Sequence, residues 1–175
     1  KSVIFENIKE NLLSIIKDPY SFKIIFEYLT PEQCSVGCEV VKEKLPTMIN
    51  SACDLSEVIQ YLTPEQCTVI CKALKEKLPV FIKSVSDFRI ILQYLTPKQR
   101  GVIYESVKEK LLVIINSAYD LNEVIQYLTP EQCTVVCKAL KEKLSTLIKS
   151  ASDFKIILQY LTPKQRGVIY ESVKE

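Results

Sequence analysis

The chain has 175 residues, 47% hydrophobic and 25% charged, with 23 basic and 21 acidic side chains for a net charge of +2. That balance belongs to a folded globular protein, and the even spread of both signs leaves no basic tail or acidic block to mark a nucleic-acid or membrane partner. Histidine and tryptophan are absent, which removes the commonest general base and neutral metal ligand, and the longest apolar run, Leu111 to Ile115, is far below the roughly 20 residues that cross a bilayer.

Self-similarity dominates the sequence. Tyr-Leu-Thr-Pro recurs at Tyr28, Tyr61, Tyr94, Tyr127 and Tyr160, each 33 residues after the last. Segment 61 to 109 matches segment 127 to 175 except at Ile70/Val136, Pro79/Ser145, Val80/Thr146, Phe81/Leu147, Val85/Ala151 and Arg89/Lys155. Duplication of a 66-residue pair explains that identity. A fixed period of this length predicts an all-α fold, an α-solenoid of 33-residue helical-hairpin repeats in which each unit buries its flanks against its neighbours. The repeats run 1–27 (partial), 28–60, 61–93, 94–126, 127–159 and 160–175 (partial), all within one domain.

In chain order, Val3 to Glu6 falls in register with Val102 to Glu105, and Phe22 to Ile25 with Phe88 to Ile91. The chain is therefore expected to be a piece of a longer array. At each Thr-Pro, a helix start is predicted. In Thr63-Pro64-Glu65-Gln66 the hydroxyl takes the N-cap, proline the first helical position, and glutamine closes a capping box. Leu62 staples onto Cys67, and Cys67, Ile70, Cys71, Leu74 and Leu78 follow the helical period. Val69 and Ala73 widen the apolar arc to that of a helix covered on two sides. Pro46 and Pro79 are replaced by Leu112 and Ser145 in sister repeats, so a kinked or restarted helix alternates with a continuous one. Asp54, Asp87, Asp120 and Asp153 then offer N-caps for a return helix of about ten residues, with capping boxes at Asp54/Glu57 and Asp120/Glu123.

Several residue sets compete for a functional role. The pairs Cys34/Cys38, Cys67/Cys71 and Cys133/Cys137 have the i, i+4 spacing of zinc-donating thiolates. A closed site needs four ligands, and stacked helices aim such pairs in parallel, so cysteine as a small buried hydrophobe is expected. Their spacing also suits one helix face better than a disulfide framework, which points to a reducing cytosol. The tyrosine ladder is expected to pack between repeats with its hydroxyls at the rim. The Lys-Glu-Lys triplets at Lys42, Lys75, Lys108 and Lys141 read as solvated helix faces. Arg100 and Arg166 each stand one turn before a tyrosine, Tyr104 and Tyr170, in alternate repeats. These four are the partner-binding candidates, because guanidinium and phenol pairs are enriched at interface hot spots. The competing reading is that the arginines fill the positions of the missing cysteines.

Two resemblances follow from the motifs. Leu62-Thr63-Pro64-Glu65-Gln66, repeated at residues 128 to 132, is similar to the opening of the TAL effector DNA-reading repeats. In that family a base-reading loop closed by Gly-Gly follows, whereas Ala73-Leu74-Lys75-Glu76 continues a helix here, which speaks against DNA reading. The wider pattern of Thr-Pro-Glu-Gln, Lys-Glu-Lys-Leu and Ser-x-x-Asp-Phe-x-Ile-Ile-Leu-Gln-Tyr-Leu resembles the tandem helical repeats of effectors that Legionella-type intracellular bacteria inject by type IV secretion. That resemblance implies work in a host-cell cytoplasm against a host protein.

Near-identical repeats do not readily supply one unique set of nucleophile, base and oxyanion donors, so no enzyme, cofactor, metal or small-molecule substrate is expected. The leading expectation is a protein–protein interaction module. The alternative is a structural spacer that positions a catalytic domain elsewhere in the parent protein, with nucleic-acid binding third. Oligomeric state is not fixed by the sequence.

Overall fold

The computed structural model describes residues 2–173, so Lys1, Lys174 and Glu175 lie outside it. Every regular element in it is a helix, and no strand occurs among the described residues. The first partial repeat supplies α1 (Ser2–Lys9), α2 (Leu12–Ile15) and the return helix α3 (Pro19–Phe26). The next gives α4 (Pro31–Val41), α5 (Leu45–Met48) and α6 (Ala52–Ile59), followed by α7 (Pro64–Ala73), α8 (Leu78–Phe81) and α9 (Val85–Leu92). The remaining helices are α10 (Pro97–Ile114), α11 (Ala118–Ile125), α12 (Pro130–Ala139), α13 (Lys141–Leu147), α14 (Ala151–Leu158) and α15 (Pro163–Val173).

The long helices start where the Thr-Pro motif predicts. Thr63 N donates to Gln66 Oε1 at 3.1 Å while Thr63 Oγ1 accepts from Gln66 N at 3.3 Å, and Thr30/Gln33, Thr129/Gln132 and Thr162/Gln165 repeat that box. Where Pro46 and Pro79 stand, the helix ends and restarts. A proline has no N–H for the carbonyl four residues back, and its ring clashes with that carbonyl. With Leu112 in that place, α10 runs unbroken for 18 residues. Ser145 gives an intermediate result: α12 and α13 are parted at Leu140 alone, whose ψ of 6° matches the 1° of Leu74. Proline therefore widens a break that this stretch of sequence already makes.

The return helices begin three residues earlier than the aspartates suggested. Ser51, Ser84, Ser117 and Ser150 are the N-caps, each with extended backbone and a hydroxyl accepting the N–H of Asp54, Asp87, Asp120 or Asp153. The aspartate sits at the third helical position and reaches back; Asp54 Oδ2, for example, accepts from Asn50 N at 2.9 Å. This placement puts a negative charge in the first turn, where the helix dipole favours it. Hydrogen bonds from Ser150 and the Lys149 N–H hold Asp153 below the usual carboxylate range. The expected Asp54/Glu57 and Asp120/Glu123 boxes do not form. Glu57 instead pairs with Lys23 at 3.3 Å and Glu123 with Arg89 at 3.2 Å, each across one repeat. In α3 the roles are exchanged, with Asp18 as cap and Ser21 at the third position.

Packing follows sequence order. The return helices α3, α6, α9, α11 and α14 touch in succession. In the other row α1 and α2 meet α4, α5 meets α7, α7 and α8 meet α10, α10 meets α12, and α12 and α13 meet α15. Ladders one repeat apart run through the shared core: Leu12, Leu45, Leu78, Leu111 and Leu144, and beside them Phe22, Leu55, Phe88 and Leu121, are all at most 1% exposed. Burying each such side chain contributes about 1.5–3 kcal/mol.

One rung departs from the rest by an exchange of volume. Gly37 takes the place held by Ile70, Ile103, Val136 and Ile169 elsewhere, and Phe26 replaces Ile59, Leu92, Ile125 and Leu158. A methyl on Gly37 would lie 2.9 Å from Phe26 Cζ, and Phe26 is itself stacked on Phe22 with centroids 3.9 Å apart. Gly37→Ala is expected to destabilise the fold by about 1–3 kcal/mol through overpacking, although alanine favours helix. Urea denaturation checks this, and a G37A/F26L double variant should recover most of the loss.

Candidate partner-binding surface

In α4, α10, α12 and α15 the residue at the fourth helical position points back at the end of the preceding return helix. There it donates to the carbonyl eight residues earlier: Cys34 Sγ to Phe26 O at 3.5 Å and Cys133 Sγ to Ile125 O at 3.7 Å. Arg100 Nε does the same to Leu92 O at 3.0 Å, and Arg166 Nε to Leu158 O at 3.2 Å and Leu161 O at 3.0 Å. The arginines thus take over the donor role of the cysteines at a helix C-terminus, where positive charge is favoured. The Arg100 guanidinium lies 5.1 Å from the ring centre of Tyr127 in the following repeat. Tyr104 is buried at 3% exposure, and burial raises its phenol pKa. Of the four candidates, Arg166 and Tyr170 are exposed on α15, with Tyr170 edge-on to Phe154 at 5.1 Å.

Six of the seven cysteines are buried, Cys53 being exposed, and all seven are free. Burial pushes the thiols up, to about 11 for Cys133 and about 12 for Cys137, and Cys38 higher still. Cys67 also rises, through its hydrogen bond with Cys71 and its burial. The raised thiols of Cys38, Cys67, Cys133 and Cys137 stay protonated near neutral pH and behave as small apolar groups, whereas the hydrogen bond with Cys67 lowers Cys71. No group of three or more Cys, Asp or Glu able to hold a metal ion occurs among the described residues.

The tyrosine ladder alternates. Tyr61 and Tyr127 are half-buried, Tyr61 lying edge-on to Phe22 and Phe26 at about 6 Å, whereas Tyr28, Tyr94 and Tyr160 are exposed. The Lys-Glu-Lys triplets are only partly solvated. In three of the four the second lysine reaches the preceding repeat, Lys44 Nζ donating to Leu13 O and Ile16 O, Lys77 Nζ to Pro46 O, and Lys143 Nζ to Leu112 O. The capping glutamines have a second arm that the motif alone did not disclose. Gln66 Nε2 donates to Ser35 O at 2.9 Å, Gln99 Nε2 to Pro64 O at 2.7 Å, and Gln165 Nε2 to Pro130 O at 2.6 Å. A repeating glutamine facing a repeating carbonyl is the only signal for this, and it requires the register of neighbouring repeats.

Among the apolar side chains left uncovered on the long helices is a row of valines. Val36, Val69 and Val135 are 41%, 58% and 56% exposed, and Val102 between them is half-buried. One turn further on, each valine is followed by an exposed charge of alternating sign, Glu39, Lys72, Glu105 and Lys138. A cleft of about 290 Å³ opens beside this row between α4 and α7. Cys38, Leu45, Leu62 and Ile70 form its floor, and Glu39, Lys42, Glu43 and Glu65 its rim. The counterpart 66 residues on, between α10 and α12, holds only about 80 Å³. There Lys42, Glu43, Val69, Ile70 and Ala73 become Lys108, Glu109, Val135, Val136 and Ala139, while Cys38 becomes Tyr104 and Pro46 becomes Leu112, both of which line the smaller cleft.

No protein-family description matches this chain, and no curated protein matches its sequence. Among solved structures it is similar to a double mutant of Puf4 bound to the Cox17 RNA 3′ UTR recognition sequence, at 17% identity and a TM-score of 0.63. That match takes in 97% of this chain and 64% of the Puf4 chain, so the chain spans under two thirds of its neighbour's length. The likeness at this identity is one of fold: this chain is an α-helical repeat solenoid.

Proposed function

We propose that this solenoid is a protein-binding module, the partner-selecting region of a bacterial effector that works in a host-cell cytoplasm, and that it is not itself an enzyme. The supporting observation is the valine row. Val36, Val69 and Val135 expose branched apolar side chains at equivalent positions of three repeats, on helices whose cysteines and larger aliphatic side chains are otherwise mostly buried. Apolar side chains recurring along one uncovered face suit an extended or helical partner segment better than a spacer, which needs no apolar surface. The effector assignment rests on the repeat pattern's resemblance to type IV secreted effectors.

RNA is the second reading, because the Puf4 neighbour was captured bound to RNA and has the same kind of fold. The alternating Glu39, Lys72, Glu105 and Lys138 give the valine row no net positive charge with which to hold phosphates. Capture of host-lysate proteins by the wild-type chain, compared with V69K and V135K variants of unchanged helicity, tests the proposal. Loss of the captured partner in both variants is expected. Equal capture by a scrambled-surface control, or a steeply salt-dependent shift with single-stranded RNA that the variants leave intact, would remove the protein-binding reading.

A further inference from the structure

We propose that the cleft between α4 and α7 is an anchor pocket for one large apolar side chain of a basic partner segment. The inference rests on the protein-binding reading and gives it a site and a ligand chemistry. This junction holds about 290 Å³ of open space and its equivalent two repeats on about 80 Å³. Two positions of the lining differ, Cys38 against Tyr104 and Pro46 against Leu112. The 66-residue register that places Tyr104 and Tyr170 puts Cys38 here, so a ring is missing, and Pro46 stands where Leu112 continues α10. The space left is lined by Leu45, Leu62 and Ile70, and it opens beside the exposed Val69. A Leu, Met or Phe side chain entering it replaces what Tyr104 supplies from within the chain at the other junction.

The rim selects the charge of what flanks that side chain. Lys42 is tied to Glu39 at 2.9 Å, and Glu39 also accepts from Gln66 Nε2 at 3.3 Å. Glu43 and Glu65, both exposed, are left to face the occupant. An apolar anchor with Lys or Arg on either side therefore complements the site, whereas an acidic peptide or a phosphate backbone is repelled.

Short labelled peptides carrying one Leu, Met or Phe between lysines, with glutamate-flanked versions as controls, test this by fluorescence anisotropy. The wild-type chain should bind the basic peptides with one site per chain. C38Y should weaken binding at least about tenfold, the consequence of denying burial to one apolar side chain. E43K/E65K, which alters only exposed rim positions, should weaken it while sparing the fold. Y104C rebuilds the cleft in a frame that already holds Glu105, Lys108, Glu109 and Glu131, and should raise the stoichiometry to two. No preference for basic over acidic peptides, binding indifferent to both C38Y and E43K/E65K, or a Y104C chain that still binds one peptide would each overturn the assignment. Capture of a protein partner that survives C38Y and E43K/E65K would overturn the pocket while leaving the protein-binding reading in place, and single-stranded RNA binding unaffected by these changes would count against both.

Discussion

Leu78→Ala is expected to lower the stability of the array by about 2–5 kcal/mol, the range for deleting a buried leucine where the surroundings relax only partly. Leu78 is wholly buried, opens the four-residue helix α8 directly before Pro79, and belongs to the leucine ladder between Leu45 of α5 and Leu111 of α10. A short helix after a break contributes little stability of its own, because nucleation is unfavourable and few backbone hydrogen bonds repay it. Packing therefore fixes α8, and losing the leucine should loosen both neighbouring interfaces. Urea denaturation followed by circular dichroism should show an earlier transition, and hydrogen exchange should place the lost protection around residues 74–82. A change under about 1 kcal/mol would mean that this ladder is not a continuous core.

Gln99→Ala should cost about 2–4 kcal/mol, more than any exposed capping residue. Gln99 is 4% exposed, and its Oε1 accepts from Thr96 N at 2.8 Å and Thr96 Oγ1 at 2.7 Å while its Nε2 donates to Pro64 O at 2.7 Å. Alanine would leave partners on two repeats unsatisfied at once. Gln99→Glu separates the two arms, since it keeps the acceptor and sets a second oxygen against the Pro64 carbonyl. Gln33→Ala is the comparison, because Gln33 caps Thr30 within its own repeat. Should Gln99→Ala cost no more than Gln33→Ala in thermal unfolding, the cross-repeat bond adds nothing.

The sequence carried the repeat, the helical class and the long-helix starts, because Thr-Pro-x-Gln encodes a start through contacts no more than three residues apart. The return-helix starts were misplaced for a local reason. Serine and aspartate three residues apart can each serve as the cap, and Asp18/Ser21 and Ser51/Asp54 show both choices in one chain. Contacts between repeats were less legible. The second arm of Gln99 and the reach of Lys77 depend on which carbonyl the preceding repeat presents, 31 to 35 residues away. Arg100 illustrates the same limit, since its ring partner is Tyr127 rather than the tyrosine one turn away. The cleft depends on small groups at Cys38 and Pro46 where its counterpart has Tyr104 and Leu112, which becomes visible only when α4 and α7 are set side by side.

The ion pairs on the return helices impose a parity on any shortening of the array. Lys23 meets Glu57 and Arg89 meets Glu123, while the intervening rungs carry Ser56, Ile90, Asn122 and Ile156 instead. Excising residues 94–126 alone would bring Arg89 opposite Ile156, and excising 61–93 alone would leave Glu123 opposite Ser56. Removing both together matches Ser56 with Ile156, as neutral a meeting as the one it replaces. Units lost two at a time thus leave no charge of these pairs without its partner, whereas a single unit lost strands one, at the small cost of a surface ion pair.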